Sequence, residues 1–367
     1  MSGHTVGMNH TAWWTWAIPL AACALLAAKF AGLVPTGAPA ALIPAALLLF
    51  ATVFAAVHHA EIVALRVGEP FGSIVLAVAV TVIEVALIVS MMLAAKAGGG
   101  TLARDTVFAA VMVVLNGVVG SCLVFGGARH HEQSFQEQGA AAALSVLGTL
   151  AAITLIEPNY TRAIPGPFYA PAQLLFVGLV SLVLYGVLLF VQTISHRDYF
   201  ITAAEPGHAD ANIKPSILTT TISLMLLVVT LVAVVLLAKT LSPSLEKAVG
   251  IAGLPPAFVG VVIAAVVLLP EGMAALNAAR ANQLQTSLNL ALGAALASIG
   301  LTIPAVAVVS LWMGQPLTLG LAPEEMTLLI LTLFISTVTL ATGRTTILQG
   351  VVHLVIFGVF LFLSAMP

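Results

Sequence analysis

The sequence predicts an all-α polytopic membrane protein with about eleven transmembrane helices, and three observations carry that prediction. Of 367 residues, 60% are hydrophobic and only 7% are charged, with a mean hydropathy of +1.13. Soluble domains carry about 25% charged residues, so a water-facing surface this poor in charge would aggregate. The apolar runs are continuous and roughly 20 residues long, the length that spans a bilayer as a helix. The strands of a membrane barrel would be shorter and would alternate apolar with polar. Lipid offers no hydrogen-bond partners, so backbone groups must be satisfied internally, as they are within a helix.

The same composition limits the partners. A net charge of −2 points to no nucleic acid, and the partners expected are lipid and small inorganic ions. Cys23 and Cys122 both lie in apolar runs and read as packing residues, too few for a disulfide framework or a zinc site. The N-terminus has no basic leader region, and its first apolar run is longer than a signal peptide's, so it is expected to remain as a helix.

Hydropathy places the first span near residues 14–33, opened by Trp13, Trp14 and Trp16, which suit an interfacial belt. Five more lie near 40–59, 72–95, 104–126, 139–156 and 169–192. A polar linker, 193–215, follows, with His196, Arg197, Asp198, Glu205, His208, Asp210 and Lys214. The last five lie near 216–238, 257–276, 285–312, 325–341 and 345–366. The expected organisation is an N-terminal helix (1–35), a first five-helix repeat (36–192), the linker (193–215) and a second five-helix repeat (216–367).

Five is odd, so two such halves in tandem insert in opposite orientations, the inverted-repeat plan of many secondary transporters. A local echo supports it. SIVLAVAVTVIEVAL carries Glu84 and FVGVVIAAVVLLPEGMAAL carries Glu271, at matching places in the two halves. Each is followed by a helix rich in small residues, NGVVGS at 116–121 and LGAALASIGLTIP at 292–304. Arg66, Arg129, Arg197, Lys214, Arg280 and Arg344 fall on one side, and Lys29, Lys96, Arg104, Arg162, Lys239 and Lys247 on the other. That bias is too small to set orientation.

Glu84 is the most informative residue, with about a dozen apolar-span residues on each side. A carboxylate at bilayer depth costs roughly 2.5–3.5 kcal/mol on insertion scales, so it should face the bundle interior and bind a proton, a cation or a partner. Glu271 repeats the argument, and Pro270 before it removes a backbone donor, so a helix break there would offer a free carbonyl. Two carboxylates supply up to four oxygens, whereas calcium takes about 6–8. Thr81, one turn before Glu84, and Asn116, Ser121, Ser298 and Thr302 on the small-residue helices are the candidates to complete the shell. The same carboxylates bind protons, so cation and proton displace one another at one site.

Other polar residues carry weaker signals. His58, His59, Glu61, Arg66 and Glu69, running into GEPFG, form a helix end that could serve as an access or regulatory site. Glu157 in LIEPNY reads as interfacial, and His130, His131 and Glu132 as loop residues. No HExxH, Asp-rich metal pair or Ser/Lys constellation accompanies them, so the chain is read as a transporter without cofactors and not as an enzyme. A passive cation channel using the same glutamates is the competing class.

Four blocks carry a family resemblance: HHAEIVALRVGEPFGSIVLAVAVTVIEVALIVSMML (58–93), LNGVVGSCLVFGGARH (115–130), HRDYF (196–200) and LLPEGMAALNAARANQLQTSLNLALGAALASIGLTIPAV (268–306). They resemble the calcium/cation antiporter superfamily, in particular the bacterial ChaA-type calcium/sodium–proton antiporters. The resemblance implies two inverted five-helix halves and one glutamate from each at a shared central site. It assigns that role to Glu84 and Glu271. It also implies exchange of Ca2+ or Na+, or K+, for H+. The membrane implied is the bacterial inner membrane, with the N-terminus and linker cytoplasmic and the C-terminus periplasmic. The wider group has Asn three residues before each glutamate, where this chain has Thr81 and Leu268. It has His after the second glutamate and Gln in the second small-residue helix, where this chain has Gly272 and Ala297. These departures leave fewer side-chain ligands.

Overall fold

The computed structural model describes residues 12–33, 39–68, 71–94, 100–200 and 214–367. Glu69, the linker residues 201–213 with Glu205, His208 and Asp210, and the first eleven residues lie outside the described residues.

Eleven helices follow in the order one, five, five. They are α1 (Trp13–Phe30), α2 (Pro39–Val67), α3 (Phe71–Ala94), α4 (Leu102–His130), α5 (Glu137–Asn159), α6 (Pro171–Ser195), α7 (Ile217–Ile251), α8 (Phe258–Arg280), α9 (Leu284–Met313), α10 (Pro323–Leu340) and α11 (Ile347–Ala365). Among the described residues ten are long and apolar enough to cross a bilayer, and α3 contributes the apolar run Ile74–Ser90.

Local chemistry sets the ends. Gly68 closes α2 at φ +79°, a left-handed conformation that costs glycine little, and its N–H donates to the Ala64 carbonyl at 2.8 Å. Gly72 then opens α3 so close to Ala64 that a Cβ there would sit 2.6 Å from its carbonyl oxygen. The end of α2 at Gly68 and the start of α3 at Gly72 therefore lie close together. Pro171 and Pro323 begin α6 and α10, where a missing N–H costs no hydrogen bond. Pro270 does not break α8, contrary to the break considered from the sequence: the helix runs from Phe258 to Arg280. A proline within a helix removes one i to i−4 bond, and the remaining ladder carries α8 through.

The chain forms two compact units. The smaller takes residues 1–79 and 209–241, with a core of Ala22, Leu26, Ala45, Ala233 and Leu237. The larger takes 80–208 and 242–367 and holds both Glu84 and Glu271. Within it α4 and α9 are the most enclosed, with 78% and 67% of their apolar windows buried, against 22% for α11. On α6, Leu175, Phe176, Leu179, Leu182 and Val183 are exposed, an outward stripe suited to lipid.

Close helix contacts in this unit run through glycines. A Cβ on Gly350 of α11 would meet the Val124 nitrogen at 2.6 Å and the Gly120 carbonyl at 2.8 Å. A Cβ on Gly260 of α8 would lie 2.9 Å from the backbone of Asp105 and Thr106. Small residues that let backbones approach are how helices pack without a hydrophobic driving force.

The turns of the larger unit sort into two sets, as alternate crossings require. The α4–α5 turn pairs with the α10–α11 turn as antiparallel strands β1 (Gln133–Ser134) and β2 (Arg344–Thr345). Gln133 also donates to the Ala279 carbonyl at 2.9 Å and to Asn282 Oδ1 at 3.0 Å in the α8–α9 turn. In the second set, the α9–α10 segment donates from Thr318 to the Gly100 carbonyl and from Leu319 to the Pro167 carbonyl, each at 3.1 Å. Arg104 donates to the Gly320 carbonyl at 3.0 Å.

Candidate functional site

Hydroxyls inside membrane helices usually bond the carbonyl one turn back. Thr154, Ser181, Thr193, Thr230 and Thr240 all do so here, at 2.6–2.8 Å. Ser298 and Thr302 do not. Ser298 Oγ donates to Glu84 Oε1 at 2.6 Å, and Thr302 Oγ1 donates to Glu84 Oε2 at 2.9 Å. All three are buried, Glu84 at 4% exposure.

The backbone explains how both hydroxyls reach one carboxylate. Ser298 and Thr302 are the first and last residues of a π-helical segment in α9. Residues four apart share a helix face, and π segments concentrate at functional sites. Glu84 comes from the middle of α3. Hydrogen bonds to a charged group contribute about 1.5–3 kcal/mol each. Two of them match the roughly 2.5–3.5 kcal/mol cost of a carboxylate at bilayer depth.

Thr81 lies one turn before Glu84, and its buried Oγ1 makes no hydrogen bond. Ser298 and Thr302 give the carboxylate two hydroxyl oxygens as neighbours. A hydroxyl both donates and accepts, so the two that donate to Glu84 can turn lone pairs toward a cation. Among the described residues no three His, Cys, Asp or Glu side chains form a metal cluster. The groups shown together at Glu84 are a carboxylate and two hydroxyls, oxygen groups of the kind that hard cations take.

Glu271 stands at the middle of α8, with both carboxylate oxygens shielded from solvent. Its neighbour Gly272 meets α4, where an added Cβ would lie 3.1 Å from Val118 Cγ2. Val118 ends a second π segment, Val113–Val118. A groove of about 270 Å³ beside it is lined by Gly117, Ser121, Leu268 and Gly272 among others. Each half thus has a glutamate on its second helix and a π segment on its third.

Asn116 lies in that π segment and belongs to a different network. Its Nδ2 donates to Thr332 Oγ1 at 2.9 Å, and its Oδ1 lies 3.2 Å from His353 Nδ1. His353 Nε2 lies 3.2 Å from Thr339 Oγ1. His353, Thr332 and Thr339 are not among the residues the sequence singled out; the available signal was a lone imidazole inside the apolar run 345–366. His59 is fully buried and donates from Nε2 to the Thr15 carbonyl at 2.9 Å, while His58 packs near Trp14. They fasten α2 to α1, and Glu61 on the same helix is exposed.

A polytopic fold with a buried carboxylate–hydroxyl site on paired second and third helices defines an ion-handling membrane protein. The profile of the sodium/calcium exchanger protein family matches this chain over residues 37–194 and 222–366, one stretch in each half. The chain belongs to that family. It is 56% identical to y4hA of Sinorhizobium fredii, named as an ionic transporter, over 98% of this chain and 97% of that one. It is 35% identical to the sodium-potassium/proton antiporter ChaA of Escherichia coli over 85% of each. Among solved structures it is similar to native YfkE, with a TM-score of 0.74 at 14% identity, covering 96% of this chain and 100% of that one. The H+/Ca2+ exchanger CAX follows with a TM-score of 0.68 at 14% identity, covering 95% and 88%.

Proposed function

We propose that this protein is a secondary active antiporter that exchanges Ca2+ or Na+, or K+, for H+ at a site shared by Glu84 and Glu271. The observation that carries the reading is the pair of hydroxyls on α9 turned away from their own helix and onto Glu84. A carboxylate so held can exchange a proton for a cation as the two hydroxyls turn their lone pairs toward the ion. Thr81 and the carboxylate of Glu271 complete the oxygen set, and the cycle needs no cofactor. The names of ChaA, a sodium-potassium/proton antiporter, and of the Aphanothece halophytica relative, a Ca(2+)/H(+) antiporter, agree with that exchange.

The test is dye-monitored antiport in everted vesicles, with Ca2+, Na+, K+ and Mg2+ each added alone. At least one of the first three should release protons from the vesicle lumen at clamped voltage. Cation flux without proton movement would make the protein a passive channel.

The proposed repeats are 36–192 and 216–367, with the protein in the bacterial inner membrane and its N-terminus and 193–215 linker in the cytoplasm. The turns bearing Arg129, Arg280 and Arg344 share the linker's side by the parity of crossings. Cysteines placed in the linker should resist an impermeant thiol reagent in intact cells. Ready labelling there reverses the orientation.

A further inference from the structure

Among the described residues π segments occur in α4, α5, α6 and α9, and the fold treats those of α4 and α9 differently. The one in α9 presents Ser298 and Thr302 to Glu84. The one in α4 is gripped by a polar network on another helix pair. Asn116 and His353 are both 0% exposed, as is Thr332, so this network has no contact with water.

Its hydrogen bonds fix their own directions. Asn116 Nδ2 donates to Thr332 Oγ1, which orients the amide and leaves Oδ1 as the acceptor facing His353. With the amide so oriented, Nδ1 donates to Asn116 Oδ1, and Nε2 is hydrogen-bonded to the Thr339 hydroxyl, which can donate or accept. Below the ring, a Cβ on Gly120 would stand 3.0 Å from His353 Cβ, so α11 is pressed against α4. One turn of widened helix is thus tied through Asn116 to α10 and α11. Its far end, Val118, rests on Gly272 beside Glu271.

We propose that His353 and Thr332 form a latch on Asn116 that sets the register of the α4 π segment against Glu271, which makes His353 a positioning residue for cation binding. The proposal rests on the antiport reading for its flux measurement only. A π segment differs from regular helix by one inserted residue, so releasing Asn116 lets the insertion migrate. Val118 and Ser121 then shift relative to Leu268 and Gly272, the groove that these residues line changes shape, and Gly272 is the residue next to Glu271 on α8. The Glu84 half of the site, held from α9, stays as it is.

His353→Leu removes both ring hydrogen bonds, and His353→Gln keeps a donor and an acceptor. In His353→Leu the apparent KM for the transported cation should rise about tenfold, the worth of one buried hydrogen bond. Vmax should stay within about twofold, because the interaction lost is one of binding. His353→Gln should recover most of the affinity. Thr332→Val, nearly isosteric, should act in the same direction and carries the test if His353→Leu fails to insert. In an Asn116→Leu background the His353→Leu change should add nothing, since both act through one contact. Hydrogen exchange on the purified protein gives a readout independent of flux: amides of 113–118 should exchange faster in His353→Leu, and those of 298–302 should not. Unchanged exchange at 113–118, an unchanged KM in both single variants, or full additivity with Asn116→Leu overturns the latch. Wild-type protein without proton-coupled flux overturns the antiport reading instead, and the exchange experiment still decides the latch.

Discussion

Glu84→Gln and Glu271→Gln are each expected to insert normally and to lose proton-coupled cation transport almost completely. Glutamine nearly keeps the shape of glutamate and is cheaper to bury than a carboxylate, so expression should not suffer. In Glu84→Gln the amide oxygen still accepts from one hydroxyl, and the other hydroxyl turns to offer its oxygen to the amide N–H. What disappears is the negative charge. A cation taken from water into low dielectric needs that charge, because an imbalance there costs far more than in water. The exchanged proton also loses its binding group. Glu157 and Glu61 are exposed, so Glu157→Gln and Glu61→Gln should keep much of the transport. The measurement is antiport in everted vesicles at matched expression. Near wild-type proton release in either Glu84→Gln or Glu271→Gln would reduce that residue to a buried structural acid, and the shared-site mechanism would have to be abandoned.

The fold was legible because lipid writes long messages. A run of about 20 apolar residues has few alternatives, and eleven such runs were readable, matching the eleven helices among the described residues. Glu84 and Glu271 were legible for the complementary reason: an acid inside such a run is too costly to be incidental. Hydropathy, however, carries no rotational information. It marks Asn116 and Ser298 as polar residues on similar small-residue helices and does not say which neighbour each faces. The structure sends Ser298 to Glu84 and Asn116 to His353 and Thr332. The π segments at 113–118 and 298–302 were equally hidden, since one inserted residue leaves composition unchanged. Pro270 misled in the opposite sense. Its local rule suggests a break, but neighbours on both sides of α8 hold the helix together. Gly260, which the sequence reading passed over, and Gly272, noted there only as a departure from the family pattern, are where α8 meets α4.

The second large effect is expected from the hydroxyls of α9. Ser298→Ala and Thr302→Val each delete one donor to Glu84 with little change in volume, and the double variant deletes both. Each lost bond removes about 1.5–3 kcal/mol of interaction with the ionised carboxylate. Each also removes an oxygen that a bound cation would coordinate. The single variants should therefore raise the apparent KM for the cation by roughly tenfold or more. The double variant should approach the Glu84→Gln phenotype while still carrying a carboxylate. Thr154→Val and Ser181→Ala are the matched controls, because their hydroxyls bond only their own helix. Those substitutions should leave KM within about twofold of wild type, as back-bonded hydroxyls contribute little. Cation-dependent proton release at several cation concentrations separates the cases. Equal KM values in Ser298→Ala, Thr302→Val and the two controls would mean that the hydroxyls only quiet a buried acid. Higher values confined to the first pair would place the cation between α3 and α9, against the oxygens of Glu84, Ser298 and Thr302.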